Sequence, residues 1–186
     1  MIWVVLAVIA LLVIFAILSY NGLIRSRNQV ENAWSQIDVQ LKRRIDLIPN
    51  LVETVKGYAA HEKETLDAVV RARNAAIAAT SDPHAQAAAD NQMTGALRQL
   101  FALSEAYPDL KANQNFLQLQ EELSDIENKL AASRRFFNGA TTEYNNAVES
   151  FPSNLIARNF GFKREIMFDL GEDRRKDMEE PPKVQF

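Results

Sequence analysis

The chain has 186 residues, no cysteine and a formal net charge of −3. Its length suits one domain. The lack of cysteine excludes disulfides and thiolate chemistry, and the weakly acidic balance gives no support for nucleic acid as a partner. Glycine and proline are scarce, at six residues each, whereas strong helix formers such as Ala, Leu, Glu and Gln are plentiful, so the composition predicts an all-α fold.

The first predicted element is a transmembrane helix. Ile2 to Leu18 is an unbroken apolar run, and at ~1.5 Å per residue the stretch 1–20 measures about 30 Å, enough to cross a hydrocarbon core. A cleaved signal peptide is the weaker alternative, because it would need a basic start and a small-x-small cleavage site. We therefore predict an uncleaved anchor over residues 1–20 that contacts the lipid bilayer, with Trp3 and Tyr20 at its interfaces.

The charges beside this span predict its orientation. No Lys or Arg precedes the span, whereas Arg25 and Arg27 follow it closely. Since positively charged flanks stay in the cytoplasm, we expect the N-terminus outside and the large domain in the cytoplasm.

Helical periodicity begins just past the span. Apolar residues alternate steps of three and four at Val30, Trp34, Ile37, Leu41 and Ile45. Pro49 must then kink this helix or end it. We favour a turn, with Pro49 in the first turn of a second helix that reaches about Thr80. The stripe of that second helix is Leu51, Val55, Tyr58, Glu62, Leu66, Val69, Arg73 and Ile77.

Two further long helices are predicted. Ser81-Asp82-Pro83 is a stop and an N-cap signal, and the third helix follows it from about His84 to Glu105. The fourth has the strongest pattern in the chain, stepping three and four through Phe116, Leu119, Leu123, Ile126, Leu130, Ser133, Phe137, Ala140, Tyr144, Ala147 and Phe151. An antiparallel four-helix bundle over residues 21–160 would bury every stripe, and an extended coiled coil completed by other copies is the alternative.

The C-terminal region is predicted to be a short helix and a tail. The helix covers Leu155 to Asn159 and ends at Gly161, and the charged stretch 161–186 is expected to be partly disordered. Five apolar residues interrupt this polar region, namely Phe160, Phe162, Ile166, Met167 and Phe168. They either dock onto the end of the bundle or contact another subunit or the membrane surface.

No combination of residues predicts catalysis. His61 and His84 are the only histidines. The position four residues after His61 is Thr65, so a zincin helix is incomplete, and neither histidine belongs to the Glu-x-x-His pair of a di-iron bundle. There is no serine-hydrolase elbow, phosphate-binding loop or dinucleotide fingerprint. We therefore predict no enzyme activity, no metal, no cofactor and no small-molecule substrate.

The basic triplet Lys42-Arg43-Arg44 has two interpretations. Its cations could complement the C-terminus of a helix that ends before Pro49, or they could contact a partner or a neighbouring copy. Attraction to lipid is the weakest interpretation, because Arg43 would lie ~27 Å beyond Arg25 along a straight helix at ~1.5 Å per residue, several Debye lengths away.

Several stretches closely resemble the hallmark of the LemA family. The longest runs from Arg27 to Arg44, through Asn28-Gln29-Val30-Glu31-Asn32-Ala33-Trp34-Ser35-Gln36-Ile37-Asp38. The others are Tyr20–Leu23, Asp46–Val52, Tyr58–Glu62, Arg135–Asn138, Tyr144–Asn145 and Phe151–Ala157. The resemblance covers nearly the whole chain and is least distinctive between His84 and Ala112.

The resemblance implies a bacterial cytoplasmic-membrane protein with one N-terminal span and an antiparallel helical bundle. It brings no established catalytic residues. The family is loosely linked to a heat-shock membrane metalloprotease, to envelope proteins with phosphatase-like domains and to membrane organisation in magnetosome-forming bacteria. Those links favour an adaptor.

We therefore predict a non-enzymatic scaffold or adaptor that forms homo-oligomers and binds other membrane or envelope proteins, with a metalloprotease quality-control system as one setting. The alternative is a membrane-remodelling protein. The candidate partner or oligomer contacts are Lys42, Arg43, Arg44, Phe160, Phe162 and Phe168.

Overall fold

The computed structural model describes residues 1–79 and 83–168. All regular secondary structure in these residues is helical, which confirms the predicted all-α class. The helices are α1 (Ile2–Ala59), α2 (Lys63–Ala78), α3 (Pro83–Ser104), α4 (Pro108–Lys111), α5 (Gln114–Glu149) and α6 (Ser153–Asn159). The antiparallel packing of the long helices as one bundle stays a prediction, and most of the predicted tail, residues 169–186, lies outside the described residues.

The predicted turn at Pro49 is wrong, because α1 continues through Pro49 to Ala59. A proline has no backbone N–H, so within a helix it leaves the carbonyl four residues earlier without its usual donor. Here that carbonyl belongs to Ile45, and Arg73 of α2 donates its Nε–H to it at 3.4 Å. A side chain from another helix therefore supplies the hydrogen bond that Pro49 cannot.

The chain reverses instead at residues 60–62, between α1 and α2. The Glu62 N–H bonds to the Ala59 carbonyl at 3.1 Å. The Tyr107 hydroxyl donates to the Glu62 carboxylate at 2.8 Å, and the Asn113 amide donates to the Tyr58 hydroxyl at 2.9 Å. The hydrogen bond to Glu62 raises the pKa of Tyr107, because it stabilises the protonated phenol. Side chains near α4 thus hold this turn.

The chain divides into two compact units. The anchor unit contains residues 1–37 and 132–167, and the core unit contains residues 38–131 together with Phe168. Both α1 and α5 contribute a segment to each unit.

The core unit is built on one hydrophobic cluster. Segments of α1, α2, α3, α4 and α5 contribute large aliphatic side chains and one phenylalanine, all nearly inaccessible to solvent. Burial of such side chains is the main driving force for folding. The most buried large side chains of the cluster are Ile48, Leu51, Val55, Val69, Met93, Leu100, Leu110 and Phe116.

The anchor unit has a smaller interior, with fewer buried apolar residues than the core unit. Its buried apolar residues are Leu23, Val30, Ala33, Ile37, Phe137, Ala140, Tyr144 and Ala157. The Trp34 and Phe137 rings pack with their centroids 5.2 Å apart. Three polar side chains, Arg134, Thr141 and Asn145, are buried beside these residues. Polar side chains therefore make up a larger share of the buried residues here than in the core unit.

The α5 stripe agrees with the sequence pattern except at its last position. Leu123, Ile126 and Leu130 are buried in the core unit, and Phe137 and Tyr144 are buried in the anchor unit. The expectation that the stripe ends at Phe151 is wrong, because α5 ends at Glu149 and the Phe151 side chain is 79% exposed. Pro152 follows it, and a residue before proline avoids helical geometry.

Candidate interaction surfaces

The first candidate surface is the apolar start of α1. It is the one helix in the described residues long and apolar enough to cross a membrane, and none of its most apolar stretch is buried. Large side chains from Ile2 to Leu18 are exposed, and the first buried residue is Leu23. The transition from exposed to packed helix surface therefore takes only a few residues, with no loop between them.

Helix α6 and its flanks form the second candidate surface, which we call the collar segment (residues 151–164). At the end of α6, the Phe162 N–H bonds to the Ala157 carbonyl at 2.9 Å. Gly161 has a φ of 74°, a left-handed conformation that is costly for residues with a side chain. This is the Schellman arrangement. It ends α6, as the sequence predicted, and reverses the chain so that Phe162 lies back against α1.

Three aromatic rings join the collar segment to α1. The Tyr20 ring centroid lies 4.9 Å from that of Phe160 and 5.7 Å from that of Phe162, both with edge-to-face geometry. Such pairs contribute roughly 0.5–1.5 kcal/mol beyond area burial. Phe160 remains 63% exposed in spite of this contact, so one face of its ring is available to the surroundings.

Asn145 holds the end of this segment. Its side-chain oxygen accepts the Glu165 N–H and its amide donates to the Glu165 carbonyl, both at 2.9 Å. Asn145 is buried, so water competes little for these bonds. Burial also raises the pKa of the neighbouring Tyr144, and the Glu165 charge raises it further, while Arg27 acts in the opposite direction.

The third candidate surface contains the basic triplet. Lys42 and Arg43 are exposed on α1, whereas Arg44 is only 4% exposed. The Arg44 guanidinium bonds to the Asp90 carboxylate at 2.7 Å and pairs with Glu127 at 3.0 Å. The interpretation that the triplet complements a helix end before Pro49 is wrong, because α1 does not end there. Arg44 instead links three helices of the core unit.

A cavity of about 360 Å³ lies beside this ion pair, within the core unit. Its walls combine charged and apolar side chains, among them Lys42, Arg44, Arg73, Gln86, Asp90 and Met93. The Gln86 side-chain oxygen is buried and has no hydrogen-bond partner among the described residues. The walls therefore offer donors, acceptors and both signs of charge, as a site for a small polar group requires.

Comparison with known proteins identifies the family. The sequence model of the LemA family matches residues 33–186, most of the chain. The chain belongs to the LemA family. The protein named LemA from Metamycoplasma hominis is 31% identical over 163 residues, which cover 86% of this chain and 73% of that relative.

Other relatives of this LemA family member are magnetosome proteins. MamQ of Magnetospirillum gryphiswaldense is 24% identical over 173 residues, covering 80% of this chain and 64% of that relative. MamQ 2 of Paramagnetospirillum magneticum is 24% identical over 189 residues, covering 88% of this chain and 69% of that relative. Together with the long apolar helix, family membership indicates a single-pass membrane protein.

Within residues 1–79 and 83–168, no three His, Asp or Glu side chains are grouped so that they could hold a metal ion. The buried carboxylate of Asp90 is engaged by Arg44. The surfaces described above consist of aromatic rings, aliphatic side chains and cations, which are groups that recognise lipids and proteins.

The structure brings only some of the predicted contact residues together. Phe160 and Phe162 meet at Tyr20, and Phe168 is buried, with 2% exposure. Lys42 and Arg43 are exposed neighbours of the buried Arg44. Whether any of these residues contacts a partner stays a prediction.

Sequence reasoning missed the internal partners of the candidate residue Arg44 and the role of Asn145. Asp90 and Glu127 bind Arg44, and Asn145 fixes the backbone of Glu165. One signal for Arg44 was present, because it lies three residues after Leu41 and four before Ile48, within the buried stripe of α1. Nothing local marks Asp90 or Asn145 as buried residues.

Proposed function

We propose that this chain is a non-enzymatic, membrane-anchored helical scaffold that self-associates and binds other membrane or envelope proteins. The observation that carries the proposal is the continuity of α1, which passes from its exposed apolar segment to the buried Leu23 without leaving helical geometry. A helix held by packing transmits position and orientation, whereas a flexible linker would transmit only proximity. Such a connection suits a protein that orders its neighbours in the membrane.

The outer face of α2 supports the self-association part of the proposal. Val70 and Ile77 are 38% and 44% exposed and lie seven residues apart, hence on one face of the helix. Apolar side chains repeated at this spacing are typical of helices that pack against another helix. The α2 face therefore offers a small apolar stripe to a second copy of the chain.

Light scattering of the full-length protein in nanodiscs or mild detergent tests this part. We expect a stable oligomer, and we expect Val70→Glu with Ile77→Glu to dissociate it. Leu117→Glu is the matched control, because Leu117 on α5 is 43% exposed but lies outside the α2 stripe. A wild-type monomer at micromolar concentration would contradict self-association.

Crosslinking in native membranes, followed by mass spectrometry, tests the binding of other proteins. A membrane metalloprotease quality-control system is the partner class that the family resemblance favours. We propose that the packed units face the cytoplasm and the N-terminus faces outward, because Arg25 and Arg27 flank the span. A thiol at Ser26→Cys should then resist impermeant reagents added to intact cells.

Membrane remodelling is a second candidate function, and the exposure of Phe160 and Phe151 favours it. Exposed aromatic side chains close to a membrane span can insert into one leaflet and bend it. Deformation of vesicles by the purified protein, and its loss when residues 160–168 are deleted, would support this function. Unchanged vesicles at high protein density would exclude it.

A further inference from the structure

We propose that the collar segment, residues 151–164, lies in the headgroup layer of the bilayer and forms a second membrane contact beside the span. The proposal requires that α1 crosses the bilayer, and it does not depend on self-association. Three observations support it: the Phe160 and Phe162 rings contact Tyr20, large apolar side chains of the segment are exposed, and the segment is positively charged.

The ring contacts place Phe160 at the depth of the interface. Tyr20 lies two residues beyond the apolar run that ends at Leu18. Helix side chains lean toward the N-terminus, so the Tyr20 ring leans back toward the bilayer. The headgroup layer is roughly 5–8 Å thick on each side of the hydrocarbon core. The Phe160 ring, 4.9 Å from Tyr20, therefore lies within that layer.

The collar segment exposes three large apolar side chains. Phe151, Leu155 and Phe160 are 79%, 54% and 63% exposed. Leu155 lies five residues before Phe160, about 7.5 Å along α6 at ~1.5 Å per residue. Three exposed large apolar side chains on and beside a seven-residue helix would be unfavourable in water, and contact with lipid covers them.

The charge of the collar segment complements an anionic bilayer. Residues 151–164 contain Arg158, Lys163 and Arg164 and no acidic residue, although the whole chain carries a net charge of −3. Arg164 pairs with Glu149 at 2.9 Å, and Arg158 and Lys163 are exposed. Each cation near an anionic surface adds electrostatic attraction to it. Arg158 and Lys163 each lie within two residues of a ring that contacts Tyr20.

A second membrane contact limits how the anchor unit can move relative to the bilayer. One helix alone leaves the attached protein free to rotate about the span and to tilt. The collar segment restricts both motions, because its rings pack on one side of α1 only. The anchor unit is thereby given a defined face toward the bilayer.

Site-directed spin labelling of the full chain tests the proposal directly, because the absence of cysteine makes each introduced thiol unique. Phe160→Cys and Leu155→Cys are labelled with a nitroxide in vesicles of phosphatidylethanolamine and phosphatidylglycerol. We expect both labels to be several-fold more accessible to oxygen, relative to a water-soluble nickel chelate, than the control. The Leu155→Cys variant keeps all three rings, so it remains informative if Phe160→Cys loosens the segment.

The matched control is Phe136→Cys. Phe136 is 45% exposed and adjoins Phe137, which packs on Trp34. Trp34 is 14 residues past Tyr20, about 21 Å along α1 at ~1.5 Å per residue. Its label should therefore collide with the nickel chelate.

Charge-reversal variants provide a second test of the proposal. Arg158→Glu with Lys163→Glu should move the Leu155→Cys label toward the accessibility of the control, and Arg158→Lys with Lys163→Arg should leave it unchanged. Two results would overturn the proposal. One is equal nickel accessibility at Leu155, Phe160 and Phe136. The other is shielding of the collar labels from both reagents, which would mean that protein covers the segment.

Discussion

The anchor unit and the core unit differ in how many apolar side chains they bury and in what they leave exposed. The core unit surrounds aliphatic side chains with five helical segments and buries one ion pair between Arg44 and Asp90. The anchor unit buries fewer apolar side chains and leaves Phe151 and Phe160 exposed. A unit attached to a membrane can leave apolar side chains outside, because lipid replaces water around them. Exposed phenylalanines beside a membrane span therefore do not carry the cost that they would have in a unit surrounded by water.

The largest expected effect is in the core unit. Arg44→Leu removes the guanidinium from Asp90, whose side chain is 2% exposed. We expect the free energy of unfolding to fall by about 3–5 kcal/mol, because a buried carboxylate loses its counter-ion. Denaturant titration of the full-length protein in detergent, followed by circular dichroism, measures this loss.

Two variants serve as controls for the ion pair. Arg44→Leu combined with Asp90→Leu should recover most of the lost stability, since a well-packed apolar pair replaces the buried charges. Glu127→Gln should cost about 1 kcal/mol or less, because the Glu127 side chain is 34% exposed. Equal losses for Glu127→Gln and Arg44→Leu would contradict the assignment of Asp90 as the principal partner.

The next effect tests the anchor unit. Asn145→Leu leaves the N–H and carbonyl of Glu165 without their partner at 2.9 Å. The cost should be about 1–3 kcal/mol, and it should appear locally as release of the collar segment. We expect faster trypsin cleavage after Lys163 and Arg164. Cleavage at Lys63, at the start of α2, should keep its wild-type rate.

A smaller effect concerns the proline within α1. Arg73→Ala should cost about 1 kcal/mol in the wild type, because the Ile45 carbonyl loses its donor. In a Pro49→Ala background the residue-49 amide can bond to Ile45, so the same substitution should cost less. A double-mutant cycle measures the difference. Zero coupling would show that Arg73 does not compensate for Pro49.

The smallest effect depends on pH. Burial raises the pKa of Tyr144 above its unfolded value of 10.0. The folded state therefore holds this proton more tightly, and the contribution of Tyr144 is complete below pH 10 and decreases as the pH rises through the folded-state pKa. Tyr144→Phe should flatten the decline in stability above pH 10. An unchanged alkaline profile would exclude Tyr144 as its cause.

Some of these features could be predicted from the sequence, and others could not. Periodicity and composition predicted the helical class, the span, the α3 bounds to within about a residue and most of the α5 stripe, because these depend on local pattern. The path of α1 through Pro49 could not be predicted, since the compensating donor is Arg73, on another helix. The same holds for Asp90 and Asn145, whose roles arise from contacts between residues distant in sequence.

The central claim is that α1 runs from the membrane span into the packed part of the anchor unit without a flexible linker. Hydrogen exchange of the full-length protein in nanodiscs measures this at the backbone amides between Leu18 and Val30. We predict slow exchange at every amide in that window, because each lies inside one helix. A stretch of rapid exchange between Tyr20 and Arg27 would mean that a flexible linker separates the span from the anchor unit, and it would contradict the account.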